Sequence, residues 1–182
     1  MTVAADPNNS TNSDQNEDEN EFPFVTDLRF CLAFSALCII TLAAALDATS
    51  LSVALPIIAK KLHGTAIEAF WAGTSFLLTS TVFQPIYASL SHIFGRKPLL
   101  YLAMTLFTAG TVAAAVSKNF TVMLFGRSMQ GIGAGGLLCL TEIIVTDLVP
   151  LKERGKWFGV ISATWAIGSV SGPIVGGVFV DK

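Results

Sequence analysis

Charge is scarce in this chain. Of its 182 residues only 13% are Asp, Glu, Lys or Arg, against about 25% in an ordinary soluble domain. Histidine is scarcer: His63 and His92 stand alone and far apart. The spacing offers no metal-ligand or nucleophile constellation, so a membrane enzyme is set aside and neither metal nor cofactor is expected. The net charge is -2, without a basic patch, which argues against a nucleic-acid partner. Cysteine is limited to Cys31, Cys38 and Cys139, all in apolar runs. Cys31 and Cys38 would lie roughly 10 Å apart along a helix, too far for a disulfide. All three read as packing residues.

The few acids are unevenly spread. Asp6, Asp14, Glu17, Asp18, Glu19, Glu21 and Asp27 crowd the first 27 residues, where no Lys or Arg occurs. This stretch reads as a disordered, acidic cytosolic tail, residues 1–27. It lacks the basic start of a secretory signal, so its sequons at Asn8 and Asn9 would matter only outside the cell. What remains is a nearly uncharged body, in a chain that is 52% apolar overall. That body needs lipid to hide in.

Five apolar runs follow the tail, at about 28–58, 70–94, 98–116, 120–145 and 157–180. Each approaches or exceeds the ~20 residues that cross a bilayer as a helix. The chain thus reads as an all-α membrane protein with one transmembrane domain, residues 28–182. Pro98 suits a first helical turn, whereas Pro85 and Pro173 should kink their helices. Trp71, Tyr101 and Trp157 sit near span ends, where amphipathic rings favour the interface. With the N-terminus inside, Arg29, Arg96, Lys97, Lys152, Arg154 and Lys156 lie inside; Lys60, Lys61, Lys118 and Lys182 lie outside. That count favours a cytosolic N-terminus.

Two of these spans are rich in glycine, which costs about 1 kcal/mol against alanine in a soluble helix but lets membrane helices approach closely. One holds Gly126-Arg127 and Gln130-Gly131; the other holds Gly168, Gly172, Pro173, Gly176 and Gly177. Gly168, Gly172 and Gly176 recur every four residues and form one smooth face, expected to bury against the glycine face of the fourth span. A charge inside a span needs a partner or a water-filled cavity. Arg127 either faces such a cavity or snorkels about 12 Å to the outer surface. Asp47, two-thirds along its span, either titrates or bonds nearby hydroxyls such as Thr49 and Ser50. Glu142, near the inner interface, reads as solvated. The link Leu90-Ser-His-Ile-Phe-Gly-Arg-Lys-Pro98 is a tight basic turn, opened by Gly95. It serves as a charge anchor or as a cytoplasmic latch, with Asp147 the credible partner of Arg96 and Lys97.

Together these runs resemble the major facilitator superfamily, specifically its drug:proton antiporter branch and the 14-helix type. The 90–98 link is similar to that family's loop between its second and third helices. Leu90, Ser91, Gly95, Arg96 and Lys97 fit it; Ala88 replaces a glycine and His92 stands where an acid is expected. Gly126-Arg127 with Gln130-Gly131 resembles the fourth-helix motif, in which the arginine faces the cavity and is linked to proton coupling. Asp47 lies in a run that resembles the first-helix motif, and Gly168 to Gly177 resemble the antiporter motif of the fifth helix.

The resemblance, from about Asp27 to Lys182, implies five helices forming most of an N-terminal bundle. It implies proton-coupled export of small organic molecules, with Asp47, Arg127 and Gln130 at the coupling site and His92, Gly95, Arg96, Lys97 and Asp147 in the latch. The lipid bilayer, an organic substrate and protons are the expected partners, and the plasma membrane the expected location. Because the family fold has two bundles, a C-terminal half is expected to be missing, and such a truncated piece should not transport alone. The alternative is a non-transporting remnant that packs against other membrane proteins.

Overall fold

The computed structural model describes residues 28–61 and 65–180. The acidic tail, its sequons, His63 and Lys182 lie outside the described residues. Those described form five helices: α1 (Leu28–Lys61), α2 (Ala66–Phe94), α3 (Arg96–Ala115), α4 (Phe120–Leu148) and α5 (Arg154–Val180). Each contains a stretch long and apolar enough to cross a membrane.

Local chemistry sets the helix ends and explains where they differ from the apolar runs. Helix α2 begins four residues before the run starting at Phe70, because Thr65 and Glu68 form a capping box. The Thr65 N–H donates to Glu68 Oε2 at 2.8 Å, and the Glu68 N–H donates to Thr65 Oγ1 at 3.3 Å. Two otherwise orphaned donors are thereby satisfied. Gly95 breaks α2 from α3 at φ 85°, a conformation that side chains with a Cβ resist. At the far end of α4, Arg154 donates to the carbonyls of Thr146 (2.9 Å) and Val149 (3.3 Å). These are acceptors that a helix C-terminus leaves open. Both Pro85 and Pro173 lie inside continuous helices.

Helix α4 is the centre of the bundle, with α2 and α3 packed along it, while α5 packs mainly on α1. The glycines make these approaches possible. A Cβ added to Gly133 would lie 2.7 Å from the Ala103 carbonyl oxygen of α3, and one on Gly135 3.0 Å from the Ser80 carbonyl carbon of α2. On α5, a Cβ at Gly168 would meet Ala45 Cβ at 2.7 Å, and at Gly176 the Ser50 carbonyl oxygen at 2.6 Å. The sequence suggested that the two glycine faces bury against each other; in the structure they do not meet. Each meets a different neighbour, that of α5 meeting Ala45, Thr49 and Ser50 of α1. Gly177 points away from this contact, with nothing within 4 Å of its added Cβ.

Apolar clusters fill the bundle along its length. Phe30, Phe34, Leu37, Val145, Val149 and Ile161 close the end that carries the Gly95 turn. Trp157 sets its ring edge-on to Phe30 and Phe34, at centroid distances of 4.9 and 4.6 Å, a favoured aromatic geometry. Tyr87, Leu99, Ala103, Leu137 and Leu140 fill the middle, and Ala72, Phe120 and Met123 the other end. Large apolar side chains also cover the outside, among them Leu32, Leu77, Ile93, Phe125, Ile167 and Val170. In water such a surface would aggregate; in hydrocarbon it is the expected face.

Candidate functional site

A charged cluster sits inside the bundle, where α1, α2, α3 and α4 converge. Arg127 of α4 is 3% exposed, and its Nη1 donates to Asp47 Oδ2 of α1 at 3.0 Å. The same nitrogen donates to Gln130 Oε1 at 2.5 Å, one turn along α4. The Gln130 amide in turn donates to Thr111 Oγ1 of α3 at 2.8 Å, and that hydroxyl donates to the Phe107 carbonyl at 2.8 Å. The guanidinium carbon lies 4.5 Å from the centre of the Phe76 ring of α2, a cation–π distance.

This arrangement answers how a charge is held away from water. Burying an unpaired ion costs several kcal/mol or more, so Arg127 is given an anion, an amide oxygen and a ring face. The glycines on either side permit it: a Cβ on Gly131 would lie 2.5 Å from the Phe76 carbonyl oxygen. That backbone approach brings the Phe76 ring over the cation. The pair is asymmetric, since the Arg127 side chain is 4% exposed and that of Asp47 24%. Asp47 is therefore the more exposed member of the pair. Arg127 Nε finds no hydrogen-bond partner among the described residues.

Thr49 and Ser50 do not serve the Asp47 carboxylate. Thr49 Oγ1 donates to the Ala45 carbonyl at 2.7 Å and reaches the Gly168 carbonyl of α5 at 3.5 Å; Ser50 Oγ reaches the Asp47 backbone carbonyl at 3.5 Å. Among the described residues, these hydroxyl bonds go to main-chain carbonyls, and the Asp47 carboxylate accepts from Arg127.

At the Gly95 end, Arg96 reaches across from the start of α3 to Asp147 near the end of α4. Its Nη2 donates to Oδ1 at 3.0 Å, while Nε lies 2.8 Å from Oδ2 outside hydrogen-bond alignment. His92 and Lys97 are exposed and, among the described residues, make no hydrogen bond or ion pair. The structure thus joins Arg96 and Asp147 through the Gly95 turn and leaves His92 outside that contact, its ring on an exposed face. Arg154, counted in the sequence only toward orientation, caps the helix end that carries Asp147. Its signal was a basic residue just past an α-helical C-terminus.

The family model for the major facilitator superfamily matches residues 37–182, a span that includes both charged contacts. The chain belongs to the major facilitator superfamily. It is 60% identical over 154 residues to MFS transporter L2 of Phoma sp., covering 85% of this chain and 26% of that protein. It is 43% identical to MFS-type transporter sphD of Aspergillus fumigatus, over 90% of this chain and 28% of the relative. It is 41% identical to MFS-type efflux pump MMF1 of Mycosarcoma maydis, over 98% and 29% respectively. The chain thus spans between about a quarter and a third of the length of these relatives. As a member of this superfamily it is a multi-pass integral membrane protein, and its five helices have the lengths that membership requires.

Proposed function

We propose that this chain supplies the N-terminal bundle of a proton-coupled exporter of small organic molecules, of the drug:proton antiporter branch, in the plasma membrane. The observation that carries the proposal is the Asp47–Arg127 pair, a carboxylate partly open to solvent against a buried guanidinium that keeps its charge. Protonating Asp47 removes the anion and leaves Arg127 with Gln130 and the Phe76 ring. That exchange of partners is a switch which a proton can throw and a substrate can read. The close α1–α5 packing through Gly168, Gly172 and Gly176 suits helices that rock as a unit between access states. The Arg96–Asp147 contact fits a cytoplasmic latch that must open during each cycle. The short share of the relatives' length covered by this chain supports a bundle that works opposite other helices.

Proteoliposomes holding a pH-sensitive dye test the proposal. Challenged with a panel of amphipathic organic compounds, vesicles bearing this bundle with the remaining helices of its transport unit should show compound-dependent proton movement. Vesicles bearing the 182-residue chain alone should insert it yet show no saturable flux. Saturable, proton-dependent flux from that chain alone would contradict the division of labour.

A further inference from the structure

Opposite charges collect at two places that the fold brings together. The first is the segment 14–27, which holds Asp14, Glu17, Asp18, Glu19, Glu21 and Asp27 without a Lys or Arg. The second is the Gly95 end of the bundle, which carries Arg29, Arg96, Lys97, Lys152, Arg154 and Lys156. The Gly95 turn, the end of α4 and the loop after it supply only two described acids, Asp147 and Glu153, and each already faces a base, Arg96 and Lys156 respectively. Arg154 is committed to backbone carbonyls. Arg29 and Lys97 are exposed and make no hydrogen bond or ion pair among the described residues. Lys156 is 76% exposed beside Glu153, and an ammonium has three donors to give. This end of the fold holds more positive charge than it neutralises.

Packing places the start of α1 among these bases. The Phe30 ring meets Trp157 at 4.9 Å, and Trp157 directly follows Lys156 in the chain. Phe30 and Phe34 also pack in one cluster with Val145 and Val149 of α4, and Asp147 between those two valines binds Arg96 of α3. The acidic segment therefore joins the fold at Leu28, at the basic end. Glu17 lies eleven residues before Leu28, an upper reach of about 36 Å. From α1 to α3 by way of α4 is two interhelical steps, about 20 Å in all. Carboxylates at 17–21 can thus reach Lys97, and Asp27 the neighbourhood of Lys156. A tether of this length also keeps the acids at an effective concentration of order millimolar. An anionic leaflet would repel them.

We propose that this basic end is a docking surface for the chain's own acidic segment, residues 14–27, whose carboxylates pair with Arg29, Lys97 and Lys156. Single exposed ion pairs are weak, so the contact depends on several acting together and on the tether that holds them near. Docked, the segment covers the Gly95 turn and the α4–α5 loop and bridges α1, α3 and α5 beside the Arg96–Asp147 contact. Salt should release it, because its partners stay near water. The inference requires neither the transport reading nor a membrane orientation, since the segment and the bases belong to the same end of the bundle.

The test is lysine acylation of the whole chain in phosphatidylcholine nanodiscs, one chain to a disc, with the rate at each lysine read by mass spectrometry. The comparison is a chain neutralised by Asp14→Asn, Glu17→Gln, Asp18→Asn, Glu19→Gln, Glu21→Gln and Asp27→Asn. At about 0.01 M salt, where the Debye length is about 30 Å, Lys97 and Lys156 of the wild type should react about threefold more slowly than those of the neutralised chain. At about 1 M salt, where it is about 3 Å, the difference should vanish. Lys118, in the loop at the opposite end, should react alike throughout, which also reports that the variant bundle is intact. Carbodiimide coupling of the wild type at low salt should then join carboxylates of the segment to Lys97 or Lys156. Equal rates in the two chains at low salt would leave these bases to lipid headgroups and overturn the proposal. Links confined to neighbours in the α4–α5 loop, such as Glu153 to Lys156, would overturn it as well.

Discussion

Gln130 holds the polar cluster together from its centre, accepting from Arg127 and donating to Thr111. Replacing it with leucine removes both bonds at once and leaves a buried guanidinium short of an acceptor. Stability should fall by roughly 1–3 kcal/mol, the cost of an unsatisfied buried polar group. Thr111→Val removes only the outer link and should cost less, about 0.5–1.5 kcal/mol. Unfolding midpoints in detergent will check the order, and equal losses would show that the two bonds are not in series. The pairing at this site was only half legible in the sequence. An arginine among glycines and an aspartate within a span are visible as expensive residues, but they lie 80 residues apart. Their meeting depends on how α1 packs against α4. A rule that every intramembrane charge seeks a partner of opposite sign at similar depth would have joined them.

At the scale of the helices, the glycines divide into those that another backbone touches and those that face outward. Gly135→Ala should destabilise by about 1–3 kcal/mol, as overpacking does, because its new methyl would meet the Ser80 backbone. Gly177→Ala meets nothing within 4 Å and should be neutral or stabilising by up to about 1 kcal/mol. Thermal unfolding of the two variants side by side decides it; equal losses would contradict the packing described. The latch pair makes the opposite point about magnitude. Arg96 and Asp147 are 39% and 45% exposed, so their contact should be worth under about 1 kcal/mol. Arg96→Ala should therefore barely change stability but should alter the rate of the transport cycle. A loss of several kcal/mol would make the contact a structural brace instead. The existence of five helices was readable from run length alone, since little else in the composition competes with lipid burial. Helix ends and partners were less so. The start of α2 is fixed by the Thr65–Glu68 box, which lies outside the apolar run, and period-four glycine shows that a face packs closely without saying against what.

The described residues form a bundle whose outer surface is largely apolar, with polar contacts inside it and at both ends. With the N-terminus in the cytosol, the Gly95 turn and the α4–α5 loop lie on the cytosolic side, and Lys118 outside. Single cysteines at Lys97 and Lys152 should then react with impermeant reagent only in permeabilised cells, and one at Lys118 in intact cells. The reverse pattern would invert the topology, and the latch would no longer be cytoplasmic. The central claim is that a proton drives this bundle through Asp47 and Arg127, and proton movement in dye-loaded proteoliposomes measures it most directly. With the bundle assembled in its transport unit, Arg127→Ala should insert normally yet lose compound-dependent proton movement to background, and Asp47→Asn should show a smaller or compound-dependent loss. Wild-type proton movement by inserted Arg127→Ala would contradict the account and leave the pair a packing contact.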